Sequence, residues 1–435
     1  MRRNSGALGM TSAVALVTAN MIGAGVFTTS GFALADLGSR REVLLAWCLG
    51  GLIALAGALS YGGLVRHITE SGGEYLFLGR VVHPGVGFMA GWVSLLAGFT
   101  GAIAFAATAF EAYAVPEGSR PPWLPPGAVA IALILACGGL HGRIVRHGLI
   151  AQNLVVGVKL LLLAAFIGYA GWRLEDPGWA GLRLPDPGAA FSLPALASSL
   201  VWISLSYSGF NAAVYVAGEV REAERTVPRA LWAGTLGVTA IYLLLNAIFL
   251  FGAPPEAVSG RPDVAAVAAE ALGGPALGRL IRVVIGLALA SSVSSMILAG
   301  PRVYARMAQD GTFPPWFRMP AGSGEAPAAA VTLQVALAVV VSAVSTLGEL
   351  LSYLGFTLSL SAAGTVACLF LLHRRGVAAP CPGYPWVPAL YVGSTLLLAA
   401  LAASHRPREL LASVLTLGSG AVAYRILRRP TAGAP

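Results

Sequence analysis

Residues 19–31 read ANMIGAGVFTTSG and lie inside an apolar run, 9–34, long enough to cross a bilayer. A helix in lipid must satisfy its backbone polar groups internally, so helix breakers are tolerated only where protein or a water-filled cavity takes up the freed groups. Gly23 and Gly25 fall near the middle of the run, with Thr28, Thr29 and Ser30 just beyond. A second run, 192–218, carries WISLSYSGFNAAVYVAGE (202–219) and places Ser204, Ser206, Ser208, Gly209 and Asn211 at a similar depth. The interrupted runs are the first and sixth of twelve: 9–34, 43–65, 83–110, 126–142, 148–172, 192–218, 229–254, 276–301, 327–348, 350–373, 386–404 and 409–427. Interruptions at matching places in two halves point to a transporter binding site at the repeat interface.

Composition agrees. The chain is 57% hydrophobic and 11% charged, with a mean hydropathy of +0.76, which excludes an ordinary soluble globular protein. The expected fold is an all-α integral membrane protein of about twelve transmembrane helices, built as a five-plus-five inverted repeat with helices one and six broken. One transmembrane domain fills 1–435, with a first repeat at 1–172, a second at 187–375, and the last two helices and tail at 376–435. Arg2 and Arg3 precede a run too long for a signal peptide and lacking a cleavage site, so it reads as a first span.

With the N-terminus inside, cytoplasmic segments hold seventeen basic residues and external ones nine, which predicts a multi-pass cell-membrane protein with both termini cytoplasmic. The net charge of +9 is scattered over loop ends rather than gathered in a patch, so nucleic acid is not an expected partner; the lipid bilayer is. Cys48, Cys137, Cys368 and Cys381 have no paired or metal-like spacing, the six histidines stand singly, and no Walker-type loop occurs. No metal, cofactor, enzymatic chemistry or ATP-driven pumping is expected. An unwound segment followed by a half-helix exposes N–H groups and a positive dipole end suited to a carboxylate, while freed carbonyls suit an ammonium group. A zwitterion satisfies both.

At these residues the chain resembles the amino acid/polyamine/organocation superfamily, closest to the L-type amino acid transporter branch and its bacterial relatives. NMIGAGVF (20–27) looks like the family's first-span glycine motif, and GALSYGGLVRHITESGGEYLFLGR (57–80) like its second span and following segment. SYSGFNAAVYVAGEVREAERTVPRAL (206–231), AGPRVYARMAQDGTFP (299–314) and LLSYLGFTLSLSAAGTVACLFLLHRR (350–375) resemble the sixth, eighth and tenth spans. The resemblance implies an amino acid carrier in which Gly23, Ala24 and Gly25 receive the substrate carboxylate and carbonyls near Ile22, Leu205, Ser206 and Ser208 receive the amino group. Asn211 and Glu219 are candidate gate residues, with Arg221, Glu222 and Arg225 either joining that gate or lying in a solvated loop. Three departures stand out: Leu205 where the family often has Phe, Phe210 where it often has Trp, and Gly63 where an acid is usual.

The only lysine, Lys159, stands in VVGVKLLLLA (155–164), some thirteen residues from Arg146 and Arg173. Intramembrane charges of this kind mark ion or substrate paths. In relatives of this fold a fifth-span lysine resembles a replacement for a sodium ion between the first and eighth spans, and Lys159 matches it. Its expected partners are carbonyls near Met21 and Gly23 and the hydroxyls of Ser294 and Ser295. Proton-coupled transport and exchange both remain open, and sodium coupling is disfavoured. The spans expected to line the pocket are nearly free of acid, which favours neutral amino acids; Phe99, Phe105, Tyr207, Met296 and Phe356 are candidates for its apolar wall, although side chains at such spacing more often serve ordinary packing. The alternatives are an organic cation or polyamine carrier of the same fold and a non-transporting receptor. The sequence identifies no accessory subunit.

Overall fold

The computed structural model describes residues 8–116, 118–141, 148–173, 191–318 and 328–427. Helix α1 (Met10–Met21) stops where the Ile22 N–H closes on the Thr18 carbonyl at 3.1 Å. After Ile22 and an extended Gly23, α2 (Ala24–Leu37) starts at a bend of 41°. Gly38, at φ 67°, turns the chain out of α2 by the left-handed exit that favours glycine. Ser39 then accepts the Glu42 N–H and caps α3 (Arg40–His67), whose 28 residues span about 42 Å at 1.5 Å each. A short helix, α4 (Gly73–Val81), lies at the far end of α3, before α5 (Pro84–Ala114). Between Ser94 and Gly101, α5 loosens into a π-helical stretch.

Helices α6 (Ala128–His141) and α7 (Gly148–Arg173) follow. Ser192 caps α8 (Leu193–Tyr207) on the Ala195 N–H; four non-helical residues and a 3-10 segment, Ala212–Glu219, come next. The chain continues through α9 (Ala223–Phe251), α10 (Val264–Gln309), α11 (Ala328–Val344), α12 (Leu347–Arg374), α13 (Trp386–Ala402) and α14 (Pro407–Leu427). Thr346 and Glu349 form a reciprocal capping box at the start of α12. Among the described residues β-structure is confined to one bridge between Leu8 and Val220. Among the described residues seven helices are long and apolar enough to cross a membrane, or eight with α1 and α2 taken as one broken span, and four further apolar helices are shorter.

Polar side chains, not apolar contact alone, fix how α2, α3 and α9 meet. Ser30 on α2 donates to the Asn246 side chain on α9, and the Trp47 indole N–H on α3 donates to Ser30 at 2.8 Å. All three are buried, where such partners are needed. Helix α10 is two helices joined at Gly273 and Gly274, the latter at φ 76°, with Pro275 starting the second. The fold-back has an electrostatic result: Arg282, which the sequence leaves inside a span without a partner, meets Asp263 at 2.5 Å. Arg261 reaches the same carboxylate at 3.0 Å, and Asp263 is 1% exposed.

Breaking a buried ion pair on one side leaves a charge without compensation, whereas removing both partners costs far less. Asp263→Asn is expected to lower stability by about 3 kcal/mol, read as a lower unfolding temperature in detergent. Asp263→Leu combined with Arg282→Met should recover most of that loss.

Candidate functional site

The two interruptions meet. A side chain at Gly25 would place its first carbon 2.4 Å from the Ser206 hydroxyl and 2.8 Å from the Ser206 Cα, so the start of α2 touches the last turn of α8 through glycine. Gly209, at φ 97°, occupies the non-helical stretch after α8 and would meet the Asn20 carbonyl at 2.9 Å if it carried a side chain. Each break is therefore seated on the other, and each contact requires a residue with no Cβ. One step deeper, the Thr29 and Ser206 hydroxyls lie 3.0 Å apart.

The freed backbone groups divide into those already satisfied and those at an uncapped helix start. Tyr242 on α9 directs one hydroxyl at two carbonyls, that of Met21 at the end of α1 and, at 2.9 Å, that of Ser206. The Met21 carbonyl also accepts the Gly23 N–H at 2.8 Å. The Leu205 carbonyl accepts both the Ser208 N–H, at 3.0 Å, and the Ser208 hydroxyl, at 2.7 Å. At the start of α2 no side chain caps the helix, so the amides of Ala24, Gly25 and Val26 face the break without a side-chain acceptor. Uncapped amides at a helix start suit an anion; here that start touches α8 at Ser206, whose carbonyl and that of Met21 share one phenol.

Paired helix breaks in an apolar bundle, with an open amide cluster at one of them, are what a carrier of zwitterions requires. A family model described as amino acid permease matches residues 8–407. The chain belongs to that family. The serine/threonine exchanger SteT of Bacillus subtilis is 28% identical over 415 residues, covering 90% of this chain and 91% of its own length. Asc-type amino acid transporter 1 of Homo sapiens is 26% identical over 375 residues, covering 85% and 71%. The large neutral amino acids transporter small subunit 2 of Oryctolagus cuniculus is 24% identical over 382 residues, covering 86% and 71%. These relatives are transporters, and the chain lies in the same superfamily, near its L-type branch.

Several expected site residues of this permease take more ordinary places. Tyr207 joins an aromatic cluster with Trp47 and Tyr242, at centroid distances of 5.8 and 5.1 Å, and donates to the Trp47 carbonyl. That is packing between α8, α3 and α9. Ser295 donates to the Ser291 carbonyl of its own helix at 2.7 Å, while Ser294 lies one residue before it on α10. Lys159 falls on α7, but its side chain lies outside the described residues. Gly63 has no room for an acid: the Cys381 side chain would stand 2.5 Å from a Cβ there.

Of the two gate candidates, Asn211 is engaged: its amide donates to Glu74 at 3.3 Å. Glu219 is exposed, and its backbone carbonyl, not its carboxylate, holds Leu8 at 3.1 Å. Glu222 and Arg225 are exposed and 4.0 Å apart, a solvated pair of small energetic weight. The residue that sequence reasoning passed over is Glu74, a buried acid beside the break. Its signal was the pair of glycines before it, Gly72 and Gly73, both at positive φ.

Two substitutions test the geometry. Gly25→Ala forces α2 and α8 apart and should abolish transport while the protein still inserts. Tyr242→Phe takes the phenol donor from the Ser206 carbonyl and leaves the Met21 carbonyl with the Gly23 N–H alone, and should lower stability by about 1–3 kcal/mol, seen as a reduced unfolding temperature, with slower transport.

Proposed function

We propose that this permease carries neutral amino acids across the cell membrane by alternating access, as a sodium-independent exchanger or proton-coupled carrier. The observation that carries the reading is the contact of the two breaks, where Gly25, in the uncapped first turn of α2, meets Ser206 and Gly209 meets Asn20. A carboxylate binds the amides and an ammonium group binds carbonyls near Ile22 and the α8 end. None of the residues 22–25 or 205–211 is acidic, so the pocket offers no countercharge for a basic side chain. The serine/threonine exchanger relative favours exchange of neutral substrates.

In this reading the chain crosses the membrane twelve times as two inverted five-span repeats plus two helices, with both termini cytoplasmic. The Asp36 end of α2 is then external and α4 is cytoplasmic. Lys159 is a tethered cation standing in for a coupling ion between the first and eighth spans, with the carbonyls of Met21 and Gly23 and the hydroxyls of Ser294 and Ser295 as its partners. Asn211 belongs to the cytoplasmic gate.

Proteoliposomes loaded with unlabelled serine, alanine or leucine should take up the labelled amino acid without sodium, and faster than empty vesicles. Absence of any uptake or exchange across a neutral panel refutes the carrier reading. Lys159→Ala should slow transport by tenfold or more (roughly the loss of a charge-assisted contact) or change its pH profile; a variant matching the parent in both removes Lys159 from the mechanism.

A further inference from the structure

Glu74 is 9% exposed, and its two oxygens are fully engaged. Oε1 accepts the Tyr61 hydroxyl from α3 and the Asn211 amide from the stretch after the α8 break, and Oε2 accepts the Ser361 hydroxyl from α12 at 3.0 Å. The chain around it is built for the contact. Gly73, at φ 58°, lies so close to Tyr215 that a Cβ would stand 2.2 Å from the ring, and Ser71 accepts the Gly218 N–H at 3.0 Å. The next residue, Tyr75, donates to Asp310 at the end of α10 at 3.1 Å. Two consecutive side chains of α4 thus join α3, α12, the end of α10 and the segment that follows the break.

The charge balance of this joint is unusual. Facing Glu74 are Tyr61 on α3, Tyr215 on the 3-10 segment, Tyr391 on α13, and the uncharged Asn211 and Ser361. Among the described residues no arginine, lysine or histidine pairs with it. Beyond Tyr75, Asp310 is answered by Arg306 at 3.2 Å.

We propose that Glu74 is a proton-operated latch of the cytoplasmic gate: the buried carboxyl ties α4 to α3, α12 and Asn211 when the gate is shut, and exchanges those contacts for water when it opens. The inference rests on the orientation and alternating access set out under the proposed function. Burial raises the Glu74 pKa above the ordinary 4.5, because a carboxylate loses its hydration there, while the Tyr61 and Ser361 hydroxyls pull it partly back. Water in the open gate restores the hydration, so the shut form binds the proton more tightly than the open form. The sign follows: falling cytoplasmic pH favours the shut gate, and rising pH favours opening, with the carboxyl proton released to cytoplasmic water. As an acid, Glu74 keeps its contacts. Its carbonyl oxygen still accepts from Tyr61 and Asn211, and its O–H donates to the Ser361 oxygen.

The test compares Glu74→Gln, which mimics the protonated latch, with Glu74→Ala, which removes it. A cysteine introduced by Ser208→Cys in the break reports access when an impermeant thiol reagent is applied from the cytoplasmic side, above the labelling of the chain with its native cysteines alone. With Glu74 present, labelling should rise as pH is raised from the carboxylate range through neutrality, more steeply than the thiol's own ionisation measured on the unfolded chain. Glu74→Gln should be labelled slowly with that excess pH dependence gone, and Glu74→Ala about tenfold faster at low pH, the equivalent of one or two net hydrogen bonds. An unchanged pH dependence in Glu74→Gln, or labelling of Glu74→Ala at the parental rate, overturns the latch. Should Glu74→Ala fail to fold, the isosteric Gln variant decides alone. Because labelling requires no transport, a parent chain that carries no amino acid yet shows the pH-dependent access would sink the carrier reading and leave the latch standing.

Discussion

One hydroxyl proton, that of Tyr242, has to serve two carbonyls from two different helix breaks. Met21 ends α1 and Ser206 lies in the last turn of α8, and both carbonyl groups point at the same phenol on α9. In a lipid-embedded bundle, an opened helix turn with no partner costs far more than it does in water. The breaks are therefore affordable only as a pair, sharing a donor and a glycine contact. What surrounds them follows from that need: Trp47 packs against Tyr242 at 5.3 Å and also anchors Ser30, so α3 and α9 clamp the broken α1 and α2 from one side. In the proposed function it is the uncapped start of α2 that receives the substrate carboxylate.

The sequence carried the positions of the breaks because glycine leaves a chemical mark. Gly23, Gly25 and Gly209 interrupt apolar runs where a packing helix has no use for a helix breaker, and the structure gives two of them a reason, since a Cβ at Gly25 or Gly209 would strike backbone atoms of the other segment. Helix positions were legible for the same compositional reason: long charge-free runs in a chain with short connections. The long-range partners were not. Nothing in the periodicity of α9 singles out Tyr242 from other buried aromatics, and Arg282 finds Asp263 only because Gly273 and Gly274 fold the chain back. Tyr207 shows a choice the sequence left open. Its place beside the break allowed a pocket wall or ordinary packing, and its ring turns into the α3–α9 contact.

Glu74 was hidden for a further reason. It lies outside the apolar runs, in a stretch that reads as a loop, and loop acids are ordinarily solvated. Only Gly72 and Gly73 betray that the backbone there takes a turn tight enough to carry the following side chain inward. The family comparison pointed to an acid at the position of Gly63 instead, and the space there is filled by the loop bearing Pro380 and Cys381. A buried carboxyl at this end of the bundle is thus supplied from α4 rather than α3.

Both ends of the bundle carry ion pairs, and they differ in how their central acids are held. At the Asp36 end the contacts are ion pairs: Asp263 with Arg261 and Arg282, Glu111 with Arg120 at 2.6 Å, and Asp36 with Arg406 at 3.4 Å, the guanidinium of Arg406 also lying 5.0 Å over the Trp202 ring. A guanidinium keeps its charge at any physiological pH. At the α4 end the central acid, Glu74, has hydrogen-bond donors around it and, among the described residues, no cation paired with it. Arginine pairs respond to salt and to distance, whereas an unpaired buried acid responds to protons. Under the proposed latch, a change in proton concentration acts on the α4 end through Glu74. The asymmetry needs no signal transmitted through the bundle: it resides in which charges were placed at which end.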